Sequence, residues 1–195
     1  MYRVLTGVLV VLAMLGAAGK GLAEAKNSAD DKVLMKVNAF VDDRLLKMDF
    51  GRNPKIVAAV KAENAKGKTM KQIKELDAQW QAAPGITGFM LNLLHNDCSL
   101  FLRTIQRSVN WYGEIFVMDN QGALVAMTDK TSDYWQGDEA KFTESVKGDK
   151  GAVFIDKIKF DPSSRKNLVQ VSIPVMDKDI AIGAIMFGID TDRIN

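Results

Sequence analysis

The apolar residues change their spacing once, near Asn110, from a repeat of three and four to a repeat of two. That switch restricts the chain to a helical part followed by a strand part. Upstream, Val33, Val37, Val41, Leu45 and Met48 make one stripe, widened by Leu34 and Leu46, and predict a helix that ends near Gly51. Asn53-Pro54 is an N-cap with proline in the first turn, and opens a short helix carrying Ile56, Ala59 and Val60. Thr69 with Gln72 three residues on is a capping box, followed by Ile73, Leu76 and Trp80 on one face. Residues 87–110 are the most apolar helical stretch, with a break predicted at Asn96-Asp97.

Downstream, residues 114–119 and 123–128 are β-rich runs around Asp119-Asn120-Gln121-Gly122, a tight-turn sequence. An acidic, aromatic segment follows, with Asp129, Asp133, Tyr134, Trp135, Asp138 and Glu139. Then come a short helix over 138–146, a third strand over 152–160, a fourth over 168–175 and a nearly all-apolar, central fifth over 180–189. In the fourth, Val169, Val171, Ile173 and Val175 share one face, and Gln170, Ser172 and Pro174 share the other. The expected fold class is α+β, a helical N-terminal half packed on one face of a five-stranded, mainly antiparallel sheet. The other face would be open to water or to a ligand.

The first 23 residues read as an export leader: Arg3, an apolar run over 4–15, then Gly21-Leu22-Ala23 as a small-x-small cleavage signal. The run is short for a membrane span, so an uncleaved anchor is the lesser reading. Residues 24–32 read as a flexible start. The formal charge of +2 comes from Arg3 and Lys20 within the leader, and the remainder balances to zero, so nothing favours nucleic acid as a partner. A single Cys98 allows no internal disulfide, and with His95 the only histidine no Cys or His metal cluster can form. No motif calls for a cofactor.

The long first helix, the hairpin with VMDNQG, the TSDYWQGDE segment and the last hairpin QVSIPVMDKDIAIGAIMFGID together resemble the Cache (PDC) sensor domains. These are extracytoplasmic, PAS-like ligand-binding modules of bacterial receptors, and the likeness, to the single-Cache type, covers residues 31–191. It implies a PAS-like sheet, one sensor domain over 33–191, and a ligand cavity covered by the segment after the second strand. On that reading Tyr134 and Trp135 face the ligand, whereas the plain alternative packs them over a sheet edge. Asp133 and its neighbouring carboxylates would meet an ammonium group or a divalent cation, or else serve as caps on a solvated loop. Gln170 and Ser172 would floor the pocket with Phe116, Met118, Thr128 and Phe154, or form a solvent-exposed polar face. Receptors of this type continue into a membrane span and a signalling module. This sequence shows neither, so the resemblance implies a stand-alone periplasmic protein signalling through a membrane receptor or kinase, with homodimer contact through the first helix.

The expected function is therefore a non-catalytic, periplasmic binder of a small organic ligand: an amine, an amino acid or a carboxylate. The alternative keeps the fold as an interaction module with no ligand of its own. A remote alternative is a hydrolase built on Cys98 and His95, three apart on a helix.

Overall fold

The structure, a computed structural model, describes residues 30–148, 150–161 and 165–194. The expected leader over 1–23, and the expected flexible start up to residue 29, lie outside the described residues.

Helix α1 (residues 30–40) runs into a π-helical turn, Val41–Leu45, and buries Val37, Val41 and Leu45. Leu46 and Met48, counted in the predicted stripe, are exposed. The caps fall where the sequence places them. Asn53 accepts from the Lys55 amide ahead of α2 (Pro54–Asn64), and Thr69 and Gln72 close a reciprocal capping box on α3 (Met70–Ala82). Asn96 ends α4 (Gly88–His95) and caps α5 (Asp97–Ser108) by accepting from Ser99 N–H, which produces the predicted break. Among the described residues no helix is long and apolar enough to cross a membrane.

The sheet contains β1 (Tyr112–Met118), β2 (Leu124–Met127), β3 (Phe154–Ile155), β4 (Lys159–Asp161), β5 (Lys166–Asp177) and β6 (Ile180–Asp190). Its order is β2-β1-β6-β5-β3, β4 also pairs with β5, and every pairing is antiparallel. The α+β class and the central place of the last strand agree with the sequence. The single strand expected over 152–160 is instead the short pair β3 and β4. Asp156 separates them: its carboxylate turns back to accept from Lys157 N–H, although its own N–H still reaches Gln170 C=O.

The expectation of one covered face is corrected. The inner face packs Val117, Val169, Val171, Ile173, Val175, Ile185 and Phe187 against α1, α2 and α5. The outer face packs Phe116, Met118 and Met186 against Ile73 and Trp80 of α3, Met90, Leu93 and Leu94 of α4, Tyr134, and Phe142 of α6 (Ala140–Thr143). Each helix stripe is legible in the sequence, but a stripe does not state which sheet face it will cover. The register shifts at Gly113: Tyr112 pairs with Ile189, and Glu114 with Gly188. This bulge sends Tyr112 to the inner core and Glu114 to the outer face, though simple alternation would put them together.

Candidate functional site

The segment after β2 is held by α3. Asp77 Oδ1 accepts from the Tyr134 and Trp135 amides at 2.9 and 3.0 Å, and Trp80 Nε1 donates to Thr131 C=O at 2.9 Å. The segment also bridges to the sheet through Ala123 and Trp135. Tyr134 is 1% exposed, and its ring packs 5.1 Å from Phe89 and 5.9 Å from Trp80. Its hydroxyl accepts from Lys68 Nζ at 2.8 Å. Lys68 also donates to Glu63 at 2.6 Å. Burial works against its charge, yet the bonds to Glu63 and Tyr134 hold its pKa well above the usual lysine range. Tyr134 and Met118 are thus core side chains rather than cavity walls. Trp135 is half-buried and edges an open recess of about 430 Å³, with Lys74, Asp77, Asp133, Asp138 and Glu139 around it. The Lys74 ammonium already covers the indole, 3.1 Å from its ring centre.

A second polar cluster lies on the outer sheet face under α6. The pairing sets it out in rows: Glu114, Gly188 and Gln170 across one, and Phe116, Met186, Ser172 and Phe154 across the next. Gly188 has no side chain in the first row, and Glu114 and Leu168 lie over it. A Cβ there would meet Glu114 Cγ at 2.8 Å and Leu168 Cδ1 at 3.1 Å. Above the rows, α6 brings Lys141 and, just past its end, Ser145. Lys141 is buried, donates to Glu139 Oε2 at 2.8 Å and stands 5.7 Å from the Phe116 ring centre.

Two hydroxyls here lack the partners that burial normally requires, and a buried carboxylate stands beside them. The Ser145 and Ser172 hydroxyls are wholly buried with no hydrogen bond, and Glu114 makes none among the described residues while only 6% exposed. Burial first, then the repulsion of Asp161, pushes the Glu114 carboxyl up to about 7 despite Lys141 nearby.

The site residues expected from sequence therefore divide. Phe116, Ser172, Gln170 and Phe154 share the outer-face cluster. Asp133 and Trp135 line the acidic recess. Met118 and Tyr134 fill the core. Thr128 accepts from Ile115 N–H through its hydroxyl, on the far side of β1 from the serine row. Sequence reasoning missed Glu114, Lys141 and Ser145. Glu114 had a signal, since it stands two residues before Phe116 in the same strand. Lys141 and Ser145 had none, because the placement of a one-turn helix depends on its contacts.

Cys98 is buried among inner-core residues, and desolvation pushes its thiol up to about 12; His95 is exposed, and no hydrogen bond joins them among the described residues. Cys98 lies 5% exposed at the floor of an open recess of about 690 Å³ beside Lys55, Asp97 and Phe101, and a neutral, buried thiol is a poor nucleophile. Cys98 should react with a thiol reagent only after denaturation, and a free count of one under native conditions would contradict this packing. Among the described residues no cluster of His, Cys, Asp and Glu could hold a metal ion.

No family model matches the chain, and no curated protein matches it. Among solved structures it is similar to the extracellular domain of the putative histidine kinase vpHK1S-Z8, at 10% identity over 87% of this chain and 57% of that one, with a TM-score of 0.48. It is similar to the sensor domain of the V. cholerae histidine kinase DctB, at 14% identity over 88% and 57%, TM-score 0.41. It is also similar to the ligand-binding domain of the Campylobacter jejuni chemoreceptor Tlp3 in complex with L-valine, at 14% identity over 82% and 63%, TM-score 0.40. The chain spans less than two thirds of the length of each. Each of these likenesses has a TM-score below 0.5. At 14% identity or less, they say nothing of what this chain binds.

Proposed function

We propose that the chain is a non-catalytic, periplasmic sensor-type protein that binds a small organic molecule on the outer sheet face and signals through a separate partner. The observation that carries this reading is the pair of buried hydroxyls, Ser145 and Ser172, with no hydrogen bond among the described residues, beside the buried Glu114 on a face otherwise packed with apolar side chains. Leaving a buried hydroxyl unbonded costs about 1–3 kcal/mol, and a polar group of a ligand would supply the missing bond. The leader-like N-terminus and the Cache-type resemblance of the sequence support the periplasmic sensor role. Helix α1, with Met35 exposed, is the element that would meet a second copy or a membrane receptor.

The test is a thermal-shift screen of small metabolites. A binder at 100 times its dissociation constant adds about 2.7 kcal/mol, a rise of about 5–11 °C for a protein of this size. Ser172→Ala should raise the melting temperature of the free protein, by removing an unpartnered hydroxyl, and should reduce the ligand-induced rise. If no compound shifts the protein and Ser172→Ala is merely stabilising, the interaction-module reading takes its place. One observation favours that second reading: Tyr134 and Met118 already fill the space beneath the 131–137 segment.

A further inference from the structure

On the inner side of the sheet, an open recess of about 470 Å³ lies where the end of α1 meets the junction of α5 and β1. Phe40 and Arg44, spaced across the π-helical turn, form one wall, and Val109 and Trp111 form the other. The Phe40 and Trp111 rings stand 5.2 Å apart, and both pack on the inner core. The second wall is fixed by its backbone. Tyr112 N–H donates to Val109 C=O at 3.2 Å, and Trp111 C=O accepts from Asp190 N–H at 2.7 Å.

Arg44 gives this recess its charge. Its side chain is exposed and makes no hydrogen bond or ion pair among the described residues. In the same turn, Asp43 is paired with Lys47 at 2.9 Å. Asp42 lies two residues before Arg44, a spacing at which helical side chains do not face each other. Arg193 reaches the rim by donating to Asn110 C=O at 3.0 Å, and Asp190 compensates it at 3.3 Å. The Tyr112 ring is 5.8 Å from Phe40, and its buried hydroxyl has no hydrogen bond. Burial pushes that hydroxyl up to about 12 against the pull of Arg44, so it stays neutral and supplies no counter-charge.

We propose that this recess binds a small carboxylate with a flat apolar body, the carboxylate on Arg44 and the body against Phe40 and Trp111. The site is separate from the outer-face cluster and does not depend on it. A guanidinium presents paired N–H donors that match the two oxygens of a carboxylate, a fit that neither an amide nor an ammonium offers. Aromatic walls suit a flat body, and the volume is within the range of about 300–1,000 Å³ common to small-molecule sites. Because Phe40 and Arg44 stand at the end of α1, an occupant ties that helix to the start of β1.

The experiment is an NMR titration of the folded protein with benzoate, read at the indole N–H signals of Trp80, Trp111 and Trp135, with Trp111→Phe to assign the middle one. The expected result is a saturable shift at Trp111 alone. Benzamide and benzylamine at the same concentrations should move it far less, and acetate, which lacks the flat body, should bind more weakly. Arg44→Gln should weaken benzoate binding about tenfold. Arg44→Lys, which keeps the charge and loses the fork, should fall between. Arg44 is exposed, so neither variant should lower the melting temperature. Benzoate binding unchanged in Arg44→Gln, or benzamide moving Trp111 as far as benzoate, overturns the assignment. So does sulfate acting as strongly as benzoate, which would mark a general anion contact. If benzoate binding is weakened by Ser172→Ala and not by Arg44→Gln, the ligand sits on the outer face: this inference falls and the proposed function stands. If Trp111 does not move at all, this inference falls alone, since the outer face has its own screen.

Discussion

Replacing Trp80 with alanine should destabilise the protein by about 3–5 kcal/mol, the usual cost of emptying a large aromatic site in a core. Trp80 is 1% exposed, and its ring touches both Phe89 and Tyr134. Its indole N–H is also the donor to Thr131 C=O, so the truncation leaves a buried acceptor without its partner. Trp80→Phe separates the two contributions. It keeps most of the ring contact and loses the bond, and should cost about 1–3 kcal/mol. Urea unfolding of the three proteins measures the difference. A loss below 1 kcal/mol for Trp80→Ala would mean that α3 is not packed on the outer face as described.

The second large effect is expected at Asp77, one helical turn before Trp80. Asp77→Ala removes the shared acceptor of the Tyr134 and Trp135 amides and should cost about 2–4 kcal/mol, since two N–H groups lose their bond together. Asp77→Asn keeps one acceptor oxygen and should cost less than half as much. Because Asp77 and Trp80 hold the same short segment, their losses should not add. The double alanine variant is expected to fall short of the sum by at least 0.5 kcal/mol, and strict additivity would show that the two contacts act on independent structures. Hydrogen exchange at the Tyr134 and Trp135 amides gives a local reading: both should exchange faster in Asp77→Ala.

The parts of the fold that follow from neighbouring residues were legible. Asn53-Pro54, Thr69 with Gln72, and Asn96 each cap a helix through bonds spanning two or three residues, and the sequence states them directly. The valine face of β5 was legible for the same reason, since a period of two needs only the strand itself. What was not legible depends on contacts far along the chain. Whether Trp80 and Met90 pack on the inner or the outer face is decided by where α3 and α4 dock. That docking covered a face expected to be open. Tyr134 looked like a pocket aromatic by its position after β2, and it became a core residue because Lys68, Trp80 and Phe89 converge on it. The candidate site was half legible. The alternation of β5 put Ser172 and Gln170 on the outer face, and that of β1 put Glu114 there with Phe116, but the one-turn helix that brings Lys141 and Ser145 over them is placed by contacts the local sequence does not state.

The central position of β6 has a consequence for how the molecule comes into being. A ribosome releases β1 and β5 long before or just before Ile180–Asp190, yet both strands need that segment between them. Until it emerges, β1 has β2 on one side and an unpaired apolar edge on the other, where Ile115 and Val117 would invite a foreign strand. The helical half meanwhile has no sheet to bury its stripes against. The growing chain therefore cannot bank its stability in instalments, and its sheet closes in one late step. Such a polypeptide is suited to being kept unfolded while it is made and moved, and to folding only when its final strand is free to slide home.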